Sequence, residues 1–121
     1  MSSSAVILFA HGAREPEWAH PLEQVRDRLR AEGLRVELAY LEIMKPDLSE
    51  AAKAFAAEGA KAVTIVPLFL AQGKHLKREL PGMVAALART HPGVNFRVTP
   101  ALGDDPDILA AITAWVKRSA R

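Results

Sequence analysis

The sequence predicts an α/β fold in which a four-stranded parallel sheet, in the order 2-1-3-4, lies between two layers of helices. Three observations support this fold class: strand-like and helix-like segments alternate four times along the 121 residues, the strand-like segments are short and rich in aliphatic residues, and the connections are short. Such alternation is typical of parallel sheets covered on both faces. Right-handed crossovers leave few topologies, and we favour the flavodoxin-like order in a single domain over residues 1–121.

The first half of the chain contains two predicted strands and two predicted helices. Residues 5–10 are apolar at every position, which indicates a strand buried on both faces, and residues 35–41 form the second strand. Between them a helix is expected over residues 16–32, with Pro21 delaying its first full turn. Its apolar stripe is Trp18, Leu22, Val25 and Leu29. The second helix is expected to begin after Asp47, with Glu50 completing a capping box, and to end near Gly59.

The second half repeats the alternation. Strands are predicted over residues 62–67 and 95–99, and Pro81 is expected to open the helix between them, because proline is favoured in the first turn. The apolar stripe of that helix is Leu80, Met83, Val84 and Leu87. Asp105 and Pro106 predict the start of a last helix. Its apolar residues are Ile108, Leu109, Ile112, Trp115 and Val116.

Composition excludes several classes of function. The chain has no cysteine, so disulfides, zinc-thiolate sites and cysteine nucleophiles are excluded. No apolar run approaches the roughly 18–20 residues of a membrane span, and the first residues do not resemble a signal peptide, so a cytoplasmic protein without a membrane partner is expected. The net charge of +2, without blocks of Lys or Arg, suits an anionic small molecule better than nucleic acid.

Two histidines follow predicted strands that should be neighbours. His11 follows the first strand and His75 follows the third, and in the order 2-1-3-4 the loops after these strands flank the crevice where the winding direction switches. Imidazole can bind a divalent metal ion or accept a proton near neutral pH, and the residues alone do not choose between these roles. Glu42, at the end of the second strand, is a third candidate, as a metal ligand or a proton acceptor. His20 and His91 lie away from this edge and are interpreted as ordinary polar residues.

Glycines and basic residues flank both histidines. Gly12 and Gly73 permit sharp turns and the close approach of a ligand. The alternative is that both glycines only shape turns and have no part in ligand binding. Arg14 and Lys74 lie beside the histidines, with Lys77 and Arg78 further on. Basic residues of this kind usually belong to a solvated surface. The alternative is that they bind carboxylates of the substrate.

Four motifs in chain order resemble CbiX-type sirohydrochlorin chelatases. Residues 8–16 (LFAHGAREP) resemble an HGSR-x-P opening, and Tyr40-Leu41-Glu42 followed by Pro46 resembles an FLE…P segment. Residues 66–75 (VPLFLAQGKH), continuing to residues 79–81 (ELP), resemble a P-x-FL-x-x-G-x-H…D-I-P segment, and Leu102-Gly103 with Pro106 resembles the closing LG…P. The departures are Ala13, where the family usually has serine, and Glu79, where it usually has aspartate.

The resemblance implies insertion of Co²⁺ or Fe²⁺ into sirohydrochlorin during cobalamin or sirohaem biosynthesis, with the metal as substrate and no organic cofactor. Ni²⁺ shares the same ligand preferences, and the sequence does not identify the metal. By position, His11 and His75 would be the metal-binding and proton-accepting pair, and the eight carboxylates of sirohydrochlorin would explain the basic rim. Larger chelatases of this class bind the tetrapyrrole between two lobes, so a homodimer is expected. The alternatives are a non-catalytic metal or tetrapyrrole carrier that uses the same histidines, and an interaction domain whose histidines are incidental.

Overall fold

A computed structural model describes residues 3–121 and contains one parallel sheet of four strands in the order β2-β1-β3-β4. The elements along the chain are β1 (Ser4–Ala10), a 3-10 turn (Pro16–Ala19), α1 (His20–Ala31), β2 (Val36–Tyr40), α2 (Leu48–Ala57), β3 (Ala62–Pro67), α3 (Lys74–Thr90), β4 (Asn95–Val98), a second 3-10 turn (Leu102–Asp104) and α4 (Pro106–Ser119). The predicted fold class and strand order are confirmed. Within residues 3–121 no helix is long and apolar enough to cross a membrane.

The sheet has a larger and a smaller hydrophobic core on its two faces. β1 is central and pairs with β2 on one side and β3 on the other. One face packs under α2 and α3, where Phe9, Ile65, Phe55 and Leu80 are buried together. The opposite face packs under α1, where Leu8 and Leu38 are buried. The apolar strands therefore form the sheet because both faces of its centre are removed from water.

The first predicted helix is divided in the structure. Pro16–Ala19 is a 3-10 turn, and α1 begins only at His20, with Pro21 in its first turn where the missing N–H costs no helical hydrogen bond. Leu22 and Leu29 pack against the smaller core as predicted. Trp18 and Val25 are exposed, contrary to the predicted stripe. Trp18 lies outside the α-helix, so the α-helical period does not set its direction, and Val25 lies roughly 60° around α1 from Leu22.

The second helix begins as predicted. The Asp47 carboxylate accepts a hydrogen bond from the Glu50 main-chain N–H at 2.8 Å, and the Glu50 carboxylate accepts one from the Asp47 N–H at 2.9 Å. The capping box therefore satisfies two main-chain donors at the start of α2. The helix ends at Ala57, close to Gly59, whose φ of +89° continues the turn.

The start of the third helix was predicted wrongly. α3 begins at Lys74, and Pro81 lies inside it rather than at its first turn. A proline in a helix removes one main-chain hydrogen bond, and Leu76 and Leu80, which pack against the larger core, offset that loss through burial. The predicted stripe is correct, because Leu80 and Leu87 are buried and Met83 and Val84 pack against the same core. The earlier start places His75 in the first turn of a helix rather than in a loop.

The last helix has the predicted start. The Asp105 carboxylate accepts hydrogen bonds from the main-chain N–H groups of Asp107 (2.8 Å) and Ile108 (3.2 Å). Although α4 is well capped, none of its residues is buried. This helix is therefore stabilised at its ends but leaves its apolar residues largely in contact with water.

Candidate functional site

The ends of β1 and β2 bring His11 and Glu42 into contact. His11 directly follows β1, and Leu41 extends the pairing with β1 by donating to the Ala10 carbonyl at 2.8 Å. His11 Nδ1 lies 2.9 Å from Glu42 Oε1, and the two side chains are 51% and 44% exposed. A carboxylate can only accept, so Nδ1 donates and the lone pair of the imidazole is on Nε2. Two of the three predicted site residues therefore form one unit, and no described residue hydrogen-bonds to the remaining imidazole nitrogen, which can bind a metal ion or a proton.

Two aromatic residues hold His11 in place. The Trp18 indole N–H donates to the His11 carbonyl at 2.9 Å. The Phe69 ring meets the imidazole edge to face, with centroids 4.8 Å apart and planes at 74°. Phe69 is itself buried and packs against Phe9 at 5.6 Å, so the ring against His11 is anchored in the core. Neither aromatic was predicted to be a site residue, although Phe69 lies in the segment that resembles the P-x-FL-x-x-G-x-H motif.

Gly12 is required by the close approach of two loops. A Cβ at this position would lie 2.0 Å from the main-chain oxygen of Glu42 and 3.1 Å from the Met44 nitrogen. The Gly12 N–H also points to Glu42 Oε2 at 3.4 Å. Ile43, next to Glu42, has a φ of +73°, which a β-branched residue adopts only under strain. The turns after β1 and β2 are therefore pressed together around the His11–Glu42 pair.

In the structure His75 pairs with Glu79 rather than with His11 or Glu42. Its side chain is 85% exposed, and its Nε2 lies 3.0 Å from Glu79 Oε1, one helical turn later on α3. Across residues 3–121 no group of three or more His, Asp or Glu side chains is arranged to hold a metal ion. β1 and β3 are neighbours, so the loops after them start side by side. Joint action of His11 and His75 stays a prediction.

The basic residues of the predicted rim are exposed. Arg14 follows His11 closely, and Lys74 opens α3 beside His75. Lys77 and Arg78 are exposed on the same helix. In the described part of the chain none of these four side chains forms an ion pair, so their charges are available to an anionic ligand. Gly73 is the N-cap of α3, and a Cβ there would contact nothing within 4 Å.

An apolar cavity adjoins His11. Its volume is about 330 Å³, and Trp18, Leu22, Leu68 and Leu70 line it together with the histidine. A larger cavity of about 480 Å³ lies between α3 and the β4–α4 connection, and neither His11 nor His75 lines it. We place the candidate site at the smaller cavity because it joins apolar walls to an oriented imidazole, the combination that ligand sites usually show.

Known proteins resemble this chain over nearly its whole length. The CbiX family model matches residues 5–119. A protein from Sulfurisphaera tokodaii, named sirohydrochlorin cobaltochelatase, is 30% identical over 116 residues, which cover 96% of this chain and 93% of that protein. The crystal structure of a CbiX protein from Marinobacter aquaeolei VT8 superposes with a TM-score of 0.85 at 31% identity and covers 97% of both chains.

A longer protein shares the fold at lower identity. The sirohydrochlorin chelatase SirB from Bacillus subtilis subspecies spizizenii, solved in complex with cobalt, has a TM-score of 0.79 and 22% identity. The match covers 98% of this chain but 51% of SirB, so the chain spans about half the length of that protein. At this identity the likeness concerns the fold alone.

Proposed function

The chain belongs to the CbiX family, and on that basis we propose that it is a sirohydrochlorin chelatase, which inserts Co²⁺ or Fe²⁺ into the tetrapyrrole. The observation that carries the proposal is the His11–Glu42 pair, which leaves the imidazole Nε2 unengaged beside an apolar cavity. Support also comes from the Sulfurisphaera tokodaii relative named sirohydrochlorin cobaltochelatase, which aligns along almost the full chain.

The proposed reaction gives His11 two compatible tasks. Metal insertion strips water from a divalent ion, transfers the ion to four ring nitrogens and removes two N–H protons. The Nε2 lone pair of His11 can first hold the ion weakly and, once the ion has moved to the ring, accept one of the two protons, while the Glu42 carboxylate keeps the hydrogen on Nδ1. The second proton passes to the imidazole of His75. The exchange of a metal ion for two protons changes no oxidation state, so the proposal requires no organic cofactor.

We assign substrate recognition to the basic rim and the apolar cavity. Arg14 and Lys74 are exposed and unpaired in the described chain, and such cations can bind the carboxylates at the edge of the macrocycle. Trp18 and Leu70 are exposed beside His11 and offer flat apolar contact to the ring. Gly12 and Gly73 keep the two loops free of side chains that would obstruct the approach. In this proposal the predicted substrate-binding residues therefore offer cations for the carboxylates of the macrocycle and open loops for its approach.

We assign His75 as the second imidazole of the site, acting with His11. It is exposed at the start of α3, and the adjacency of β1 and β3 supports its action on the same ring as His11. A macrocycle also needs a second wall, which one copy of this open edge does not supply, so we propose that the active form is a homodimer. The twofold length of SirB relative to this chain is consistent with a second lobe.

An anaerobic absorbance assay of sirohydrochlorin metalation tests the proposal. Co²⁺, Fe²⁺ and Ni²⁺ are each supplied to the wild type and to the variants His11→Ala, His75→Ala and His91→Ala. His91, the matched control, ends α3 and contacts Phe96 rather than the site. We expect wild type and His91→Ala to accelerate metalation, and each of the other variants to lose roughly 100-fold or more of kcat/KM.

Other outcomes distinguish the alternatives. Stoichiometric binding of sirohydrochlorin or Co²⁺ by the wild type, with no acceleration of metalation, would identify a carrier. Equal metalation rates for the wild type and both site variants would show that the histidines are incidental.

A further inference from the structure

The turn after β2 has a strained backbone. Ile43 has a φ of +73°, and within residues 3–121 it is the one non-glycine residue with a positive φ. The Met44 N–H donates to the Glu42 carbonyl at 2.8 Å, so these three residues form a γ-turn with Ile43 at its centre. A residue with a side chain adopts this conformation only at a cost in free energy, and β-branching raises that cost further.

The surrounding fold holds this γ-turn closed. Its acceptor, the Glu42 carbonyl, lies against the main chain of Gly12, where a Cβ would not fit. At the base of the turn the Tyr40 N–H donates to the Pro46 carbonyl at 2.9 Å. Strained residues persist where several contacts fix their conformation, and they cluster at functional sites. The strain at Ile43 therefore indicates that this turn has a role at the site.

The residue type at the centre of the γ-turn is the feature that requires an explanation. Glycine adopts a positive φ without strain and would form the same turn. Isoleucine instead leaves an apolar side chain largely exposed, so burial within the chain offsets neither the strain nor the contact with water. Orientation of the Glu42 carboxylate does not require a side chain at position 43. A ligand that covers the Ile43 side chain would supply the missing burial.

A second exposed aliphatic residue lies on the other side of His11. Because β1 lies between β2 and β3, the turn that carries His11 lies between the turns that follow those two strands. The His11 side chain contacts Glu42 in one of these turns and Phe69 in the other. The next residues in the two turns are Ile43 and Leu70, which are 64% and 63% exposed. With neighbouring strands about 4.8 Å apart, the two turns are separated by about 10 Å, with His11 between them.

We propose that Ile43 is a substrate-contact residue and that the macrocycle lies over His11 with its apolar face on Ile43 and Leu70. The inference rests on the proposed function, because it takes sirohydrochlorin as the ligand. In this position the centre of the ring lies near the imidazole that delivers the metal ion, while the carboxylates at the ring edge extend toward the basic residues. The strained turn fixes the Ile43 backbone before the ligand binds, so less conformational freedom is lost on binding.

An anaerobic absorbance titration with metal-free sirohydrochlorin tests the inference, because it measures binding without turnover. Ile43→Ala removes the apolar contact, Ile43→Gly also relieves the backbone strain, and Ile43→Leu retains the apolar area. Leu34→Ala is the matched control. Leu34 is an aliphatic residue with 43% exposure that precedes β2, so it lies at the opposite edge of the sheet from the site.

We expect Ile43→Ala and Ile43→Gly to raise the dissociation constant of sirohydrochlorin roughly 10-fold, and Ile43→Leu and Leu34→Ala to stay within about twofold of the wild type. In metalation assays the loss should appear in KM rather than in kcat, as is typical when ground-state binding is lost. Ile43→Gly should melt at or above the wild-type temperature, because relief of the strain offsets the greater freedom of glycine in the unfolded chain.

Wild-type affinity in Ile43→Ala, or a fall in kcat with an unchanged dissociation constant, would overturn the inference, because the turn would then act only by placing Glu42. If Ile43→Ala metalates sirohydrochlorin with the wild-type KM, the inference fails and the proposed function stands. If the wild type binds sirohydrochlorin without metalating it and Ile43→Ala weakens that binding, the proposed function fails and the inference stands. A wild type that does not bind sirohydrochlorin would overturn both.

Discussion

Replacing Gly12 by alanine is expected to separate His11 from Glu42. The added Cβ would lie 2.0 Å from the Glu42 main-chain oxygen and 3.1 Å from the Met44 nitrogen. Both neighbours are backbone atoms, so no side-chain rotation can relieve the contact. The turns after β1 and β2 would have to move apart.

The size of that movement follows from the geometry. Ordinary contact begins at 3.4 Å, so the Glu42 oxygen must retreat by about 1.4 Å from 2.0 Å. A similar displacement of the carboxylate would stretch the His11 Nδ1–Glu42 Oε1 distance from 2.9 Å to about 4 Å, beyond hydrogen bonding. A misplacement of about 1 Å in a catalytic group can cost roughly 100-fold in rate. Overpacking of this kind destabilises by about 1–3 kcal/mol.

Metalation kinetics and thermal unfolding together measure both effects. We expect Gly12→Ala to lose roughly 100-fold in kcat/KM, with a melting temperature lower by several degrees and a folded circular dichroism spectrum. Gly73→Ala is the control for stability, because a Cβ at that position contacts nothing and its melting temperature should not change. A Gly12→Ala protein with the wild-type melting temperature and kcat/KM would show that the two turns accommodate a Cβ without moving apart.

Three further predictions concern single side chains. Glu42→Gln should lower kcat/KM by roughly 10–100-fold with little change in melting temperature, because the half-exposed pair orients His11 more than it stabilises the fold. The control is Glu58→Gln, which breaks a surface ion pair with Arg35 and should leave kcat/KM unchanged. Equal losses of kcat/KM in both variants would contradict the orienting role of Glu42. Burial raises the pKa of the Tyr40 hydroxyl above 10.0, so its contribution to stability is present below pH 10 and is lost as the pH rises through the raised value. Tyr40→Phe should therefore lose less stability than the wild type between pH 9 and 11 in thermal melts, and parallel curves would contradict the burial argument. Gly82→Ala should raise stability by about 0.5–1 kcal/mol in urea denaturation, since Gly82 lies inside α3 with open space around it, and a decrease would show that the added methyl group is not accommodated.

The elements that were predicted correctly depend on local patterns. The capping box of α2 involves residues three apart, and the cap of α4 lies directly before its proline, so short-range hydrogen bonding determines both. The four strands were recognisable because short runs of aliphatic residues, bounded by polar segments, are typical of strands that are buried in a sheet. The strand order followed from chirality and the alternation of elements, and it was correct.

The errors arose where distant contacts outweigh local preference. Pro81 is a common first residue of a helix, but the burial of Leu76 and Leu80 extends α3 back to Lys74. Trp18 fitted a helical stripe by spacing, whereas its indole N–H is bound to the His11 carbonyl in the structure. In both cases the local structure is determined by a contact with another element of the fold. Hydrophobic periodicity within a single segment cannot reveal such a contact.

The order of residues along the chain was enough to predict the fold class, the caps of α2 and α4 and the edge of the sheet at which His11 and Glu42 lie, because hydrophobic periods and chain direction act locally. Folding of the whole chain was needed to reveal that His11 pairs with Glu42, that Gly12 is needed for two backbones to meet, that His75 lies on a helix beside Glu79, and that the apolar residues of α4 are left exposed. The physical reason is that these features depend on distances between segments far apart in the chain, and such distances are set by how the whole core packs.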